Sequence, residues 1–266
     1  MAAESAGPSL CDCNALVCGG SRGIGQAAAI ALAALGANVT VLARNRDALN
    51  ATLTQLKRAP GPGRHALIEA DIADHELLLD RVKAAAGQPF HILINNTAGP
   101  PPGAIIEAEG KAFVEPFHRH LVASHRLAQA LLPGMRNAGF GRIVNVISTS
   151  VKEPIAGLGV SNTVRAAVAA WAKTLAAEVA AYGITVNNVL PGFTRTERLE
   201  QIINDREQKT GRSRQEIVSA MLTSVPAARF AEASEIAQAI AFLCTREAAY
   251  ITGINLPVDG GRTHSL

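Results

Sequence analysis

Aromatic side chains are scarce: seven Phe, two Tyr and one Trp make up 4% of this 266-residue chain. The tyrosines are Tyr182 and Tyr250, so any chemistry that needs a phenol has two places to look. Cysteine is sparse too. Cys11, Cys13 and Cys18 lie close together, but distant Cys244 supplies no second ligand pair at zinc-like spacing, so neither a metal site nor a disulfide framework follows. The four read as reduced thiols near or within buried segments. A large excess of one charge is also missing, since 25 basic residues against 22 acidic ones leave +3. No Lys/Arg run with interleaved aromatics points to nucleic acid. Long uninterrupted hydrophobic runs are absent despite 48% hydrophobic residues; the stretch Val164–Val179 is broken by Arg165, Lys173 and Glu178, which excludes a membrane span there. Met1–Leu10 lacks the basic region and apolar core of a signal peptide. No linker-like stretch divides the chain. A soluble, cytoplasmic, single-domain protein is expected.

The informative stretch is Cys18-Gly19-Gly20-Ser21-Arg22-Gly23-Ile24-Gly25. It follows an apolar run, Asn14–Val17, that reads as a buried strand, and opens into a helix-compatible segment, Gln26–Leu35. Strand, glycine turn and helix together form a dinucleotide-site context. Glycines 19, 23 and 25 allow a tight turn, close approach of a pyrophosphate and helix–strand packing, with helix N–H groups facing the anion. A second strand, Asn38–Ala43, ends in Arg44, where an acidic residue would hold a ribose 2′-hydroxyl. Arg44, with Arg22 from the glycine turn, favours a 2′-phosphate and hence NADP(H) over NAD(H).

Further along, strands and helices alternate. Residues 45–58 and 75–86 read as helices around a loop at 60–63 and a strand at 65–69, which leads into Asp71-Ile72. Phe90–Ile94 reads as a strand running into Asn95-Asn96-Thr97-Ala98-Gly99 and the stiff loop Pro100–Gly103. A helix over 107–137 is expected to break near Pro116 and Pro133. A strand at 142–147 ends in Ser148-Thr149-Ser150, a long Ala-rich helix covers 161–182, and a strand at 183–190 closes on Pro191-Gly192. A charged excursion, 193–226, precedes a last helix at 233–244 and a strand near 256–258. This alternation predicts an α/β fold: a doubly wound parallel sheet of about seven strands with helices on both faces.

With these motifs in order, the chain resembles the short-chain dehydrogenase/reductase family over nearly its whole length, most closely its β-ketoacyl carrier-protein reductase-like branch. The glycine turn, Asn95-Asn96-Thr97-Ala98, Pro191-Gly192 with Thr196, Ile251-Thr252-Gly253 and Val258-Asp259-Gly260-Gly261 carry the resemblance. It implies cofactor contacts from Gly19, Ser21, Arg22, Gly23, Ile24, Gly25, Arg44, Asp71, Ile72, Asn95, Ala98, Arg165, Pro191, Gly192 and Thr196. It also implies a homotetramer built through helices 107–137 and 161–182, and a substrate lid at 193–226.

The catalytic set departs from the family. The family uses a Ser, a Tyr about 13 residues later, a Lys four beyond it, and an Asn on the preceding long helix. Ser148 fits the first; the other places hold Ser161, Arg165 and His120. Neither tyrosine has a Lys four residues later. The usual proton donor is therefore absent, and a guanidinium cannot relay a proton in its place. His120, which titrates near neutrality when unperturbed, is the first candidate substitute; Lys152, four residues after Ser148, is the second, ahead of His118 and His125. In the lid, six basic residues stand against five acidic ones, which favours a solvated helical face over an anion site. The expected activity is hydride transfer between nicotinamide and a carbonyl or alcohol, on a small-molecule or acyl-thioester substrate. The alternatives are a catalytically degenerate cofactor-binding sensor or scaffold, and a dehydratase or isomerase on the same fold.

Overall fold

A computed structural model describes residues 10–59, 63–85 and 87–265. Residues 60–62 of the loop expected at 60–63, the end of the helix expected to reach residue 86, and residues 1–9 lie outside the described residues. In chain order the described residues form β1 (Asn14–Cys18), α1 (Gly23–Ala34), β2 (Asn38–Ala43), α2 (Arg46–Leu56), β3 (Ala66–Glu69), α3 (His75–Ala85) and β4 (Ile92–Asn95). There follow α4 (Lys111–Phe117), α5 (Ala123–Ala138), β5 (Gly141–Val146), α6 (Gly159–Val179) and β6 (Ile184–Pro191). The chain ends through β7 (Thr194–Arg195), α7 (Glu197–Thr210), α8 (Arg214–Thr223), β8 (Ala231–Glu232), α9 (Ala233–Cys244) and β9 (Asn255–Val258).

Seven strands make one parallel sheet in the order β3-β2-β1-β4-β5-β6-β9. Because side chains alternate along each strand, the sheet buries two separate apolar layers. Ala15, Val17, Ile92, Ile94 and Val144 pack against residues of α1 and α9 on one face. Leu16, Leu93, Ile143 and Val186 pack against α3, α5 and α6 on the other. The chain leaves β1 toward β2 and β3, then crosses to β4 on the other flank of β1. That reversal opens a crevice at the carboxyl ends of β1 and β4, where ligands bind in open α/β sheets.

The 107–137 region differs from the sequence expectation. Pro116 and Pro133 both lie inside helices, and the irregularity is a π-helical stretch, His118–Val122, between α4 and α5. Each proline removes only one ladder donor, and α5 retains a buried stripe of Leu127, Leu131 and Met135 that outweighs the loss. The wider π turn re-registers the ladder just after Pro116 and turns His120 inward. Other boundaries shift by a few residues: α1 starts at Gly23 rather than Gln26, and β4 at Ile92 rather than Phe90. The 193–226 excursion forms α7 and α8, which share a small core of Leu199, Ile203, Ile217 and Met221 with Phe230.

Candidate active site

The glycine turn after β1 is shaped by close backbone approach. Gly19 has φ of +61°, and a Cβ there would meet the Asn96 carbonyl oxygen at 2.4 Å; one at Gly25 would meet the Gly19 oxygen at 2.2 Å. Asn96, just past β4, donates its side-chain N–H to Gly19 O at 3.3 Å and ties the two walls of the crevice together. The result is a bare-backbone cradle at the start of α1, which fits a pyrophosphate. Thr196, the N-cap of α7, sits against it: its Cγ2 lies 3.3 Å from where a Gly23 Cβ would be. The two arginines expected to meet a 2′-phosphate are both exposed. Arg44, beyond β2, pairs with Asp71 at 3.7 Å. Arg22 pairs with Glu197 in the first turn of α7, because the start of that helix lies against the glycine turn at Thr196.

The catalytic candidates gather around the carboxyl end of β5. Ser148 caps a short 3₁₀ turn, Thr149–Val151, and its hydroxyl oxygen accepts the Ser150 N–H at 3.1 Å, so its own proton remains available to donate. Lys152 follows at the end of that turn, half-buried. Ser161 lies in the first turn of α6, and Arg165 lies one turn further in. Arg165 is buried and donates to the Val146 carbonyl at 2.9 Å. Burial and the positive charge of Arg198 lower its pKa to about 10, so it stays cationic at neutral pH.

Beneath Arg165 lies a cavity of about 10 Å³, room for one water, lined by Asn95, Thr97, His120, Ser124, Asn145 and Arg165 among others. Two buried polar atoms at this cavity have no partner among the described residues: Asn95 Oδ1 and Arg165 Nε. Asn95 begins a ladder across four adjacent strands. Its amide donates to Asn145, Asn145 donates to Asn188 and Asn188 to Asn255, each at 2.8 Å.

His120 occupies the place the resemblance gave it but not the role. Burial, then the charge of Arg165, drive its pKa down to about 2, against a small opposing effect of a hydrogen bond to the Ala98 backbone. Its Nδ1 lies 2.5 Å from Thr97 Oγ1. The ring is therefore neutral throughout the physiological range and braces the loop after β4; it is not an acid poised near pH 7. His118 and His125 are taken up elsewhere, His118 stacked on His75 at 5.7 Å and His125 edge-on to Trp171 at 6.3 Å.

The family model described as enoyl-(acyl carrier protein) reductase matches residues 19–263. The 3-oxoacyl-[acyl-carrier-protein] reductase FabG of Haemophilus influenzae is 36% identical over 249 residues, covering 93% of this chain and 96% of that protein. The chain belongs to the short-chain dehydrogenase/reductase family. The NADPH-dependent reductase BacG of Bacillus subtilis is 28% identical over 256 residues, 95% of this chain and 98% of that one. The structure of L-sorbose reductase from Gluconobacter frateurii, complexed with NADPH and L-sorbose, aligns with a TM-score of 0.90 at 29% identity, over 98% of this chain and all of that one.

Three features of the site escaped the sequence reading. Thr97 gave a signal, since it stands beside the expected Asn pair, but nothing in the sequence shows that its hydroxyl meets His120. The asparagines of the ladder are 50, 43 and 67 residues apart in sequence. Arg262, near the C-terminus, donates to Thr149 Oγ1 at 3.3 Å and so lies next to Ser148. Only the fold brings these residues together.

Proposed function

We propose that this chain is an NADP(H)-dependent carbonyl reductase of the short-chain type, working with Ser161 and Arg165 where the family has Tyr and Lys. One observation carries the reading: the bare glycine cradle and Ser148 lie at the same carboxyl edge of the sheet, with buried, cationic Arg165 bonded to the Val146 carbonyl two residues before Ser148. The NADPH-dependent relatives support the choice of cofactor. Gly19, Ser21, Gly23, Ile24 and Gly25 would hold the pyrophosphate at the start of α1, with Pro191, Gly192 and Thr196 beside it. Arg44 and Arg22 would take the 2′-phosphate, Arg22 exchanging Glu197 for it; an exposed ion pair of that kind is worth only about 0–1 kcal/mol. Asp71 and Ile72 would flank the adenine, and Asn95, Ala98 and Arg165 the nicotinamide riboside.

Held by these residues, the nicotinamide would supply the hydride. Ser148 donates its hydroxyl hydrogen bond to the substrate oxygen and stabilises the charge that develops there. Arg165 fixes the ribose by hydrogen bonds but keeps its proton. With His120 neutral, Lys152 is left as the side-chain proton source, reaching the oxygen through Ser148 or a water. The 193–226 helices form the lid over the substrate. No described helix is long and apolar enough to cross a membrane, and we place the protein in the cytoplasm. Exposed Val114 and Phe117 on α4 support assembly through the long helices into a homotetramer, which light scattering tests directly.

The deciding experiment is calorimetric titration with NADPH and NADH, followed by a ketone panel. Tighter binding of NADPH, with turnover that falls in Ser148→Ala, is the expected result. NADPH binding without turnover on any ketone would favour the second reading, a cofactor-binding sensor, which the missing Tyr and Lys motivate. Product formed with no change in nicotinamide absorbance would point to non-redox chemistry.

A further inference from the structure

The C-terminal tail holds a cation beside Ser148 that nothing in the reductase reading uses. Asp259 accepts hydrogen bonds from the Thr263 N–H at 2.8 Å and hydroxyl at 2.6 Å, and Glu153 accepts the N–H groups of His264 and Ser265, both at 2.6 Å. These contacts fix the tail on both sides of Arg262. The Arg262 guanidinium lies 4.6 Å from the Phe193 ring centre, one Nη donates to Thr149 Oγ1, and its buried Nε has no partner. Among the described residues no acid forms an ion pair with Arg262, Arg165 or Arg198. The Asp259 and Glu153 carboxylates accept hydrogen bonds from the tail itself, Asp259 from Gly261 and Thr263 and Glu153 from His264 and Ser265.

Two guanidinium groups hold the chain on either side of Ser148 in sequence: Arg165 donates to the Val146 carbonyl and Arg262 to Thr149 Oγ1. Arg198, in the first turn of α7, is near enough to Arg165 for its charge to lower the Arg165 pKa. In the lid, Arg195, Arg214 and the neighbouring Glu197 have ion-pair partners, whereas Arg198 has none. A buried guanidinium N–H left without an acceptor is unfavourable unless a ligand supplies one.

Resting on the reductase reading, we propose that the substrate is an oxo acid, a ketone with a carboxylate a few atoms from the carbonyl, and that Arg262 binds the carboxylate while Arg198 closes over it. Ser148 and Thr149 are adjacent, so a carbonyl on one and a carboxylate on the cation beside the other correspond to a 2-oxo or 3-oxo acid. A guanidinium fork suits a carboxylate, and a charge-assisted pair is worth about 1.5–3 kcal/mol, or roughly ten- to a hundredfold in affinity.

The test is calorimetric binding of a panel of 2-oxo and 3-oxo acids and their methyl esters to NADP⁺-loaded protein, alongside NADPH-dependent turnover of each. At least one acid should bind about tenfold or more tightly than its ester. Arg262→Met should abolish that difference, Arg262→Lys should restore part of it, and Arg198→Gln should reduce it, with NADPH affinity unchanged in all three. If no acid binds more tightly than its ester, or if the preference survives Arg262→Met, the proposal is overturned. Reduction of esters and acids at equal efficiency would remove the carboxylate site and leave the reductase standing. An acid preference in binding without any turnover would keep the site and remove the reductase.

Discussion

Two guanidinium groups are buried against β5, Arg142 at its amino end and Arg165 at its carboxyl end, and their surroundings differ. Arg142 donates to the carbonyls of Gly141 at 2.8 Å, Thr245 at 3.1 Å and Gly183 at 3.2 Å, and lies 4.2 Å from the Phe140 ring centre. Arg165 donates to a single carbonyl and leaves Nε without a partner. Both are cations taken out of water, and burial lowers the pKa of each. The difference lies in completion. A buried charge whose hydrogen bonds are nearly filled is part of the scaffold; one left unfinished beside a cavity is a place where a ligand completes the set. The amino edge of the sheet is thus closed, and the carboxyl edge is open.

The sharpest test of the open end restores the family's groups. The double variant Ser161→Tyr with Arg165→Lys should raise ketone reduction by about 100- to 10,000-fold, the usual worth of a positioned general acid. Steady-state rates with NADPH read this directly, and no gain would mean that positions 161 and 165 do not face the substrate. The closed end should respond in stability instead. Arg142→Met strips a charged donor from three buried carbonyls, each costing about 1–3 kcal/mol, and should lower the denaturation midpoint while leaving NADPH affinity intact. Arg44→Ser and Arg22→Ser should each weaken NADPH by about tenfold with little change for NADH.

A last effect, read only against pH, concerns His120. Its folded pKa is depressed to about 2, far below the unfolded value near 6.5. Between those values the unfolded chain binds the extra proton, so stability is present above pH 6.5 and lost as pH falls, by up to about 1.4 kcal/mol per pH unit. His120→Asn should flatten this acid limb in urea titrations at pH 4 to 7. An unchanged limb would show that His120 is solvated.

How far the sequence could be read follows the same division. The cradle was legible because its parts are contiguous: strand, glycines and helix lie within Asn14–Ala34, and close backbone approach demands glycine at 19 and 25. Seven parallel strands followed from alternating elements, each expected strand falling within about two residues of its place. Position, however, did not give protonation. His120 was located by counting residues, but its neutrality comes from Arg165 on another helix and from burial, neither visible locally. Nor does the sequence around Arg22 reveal its partner, because α7 returns to the glycine turn and brings Glu197 with it. Pro133 was read as a break, but the packing of α5 absorbed it; the interruption expected near Pro116 comes just after it, as the π stretch His118–Val122.

The asparagine ladder bears on how the sheet is assembled. Asn95, Asn145, Asn188 and Asn255 stand directly opposite one another in register, and the first three point the same way as Leu93, Ile143 and Val186. All three amide bonds run in one direction, so each polarises the next. A slip of one residue at any of these strand pairs would push an amide through the sheet into the apolar layer beneath α1 and α9, unbonded. The row of amides therefore acts as a key cut across four strands, turning only when every strand stands at its proper height, and its first tooth, Asn95, stands in the cavity of the active site.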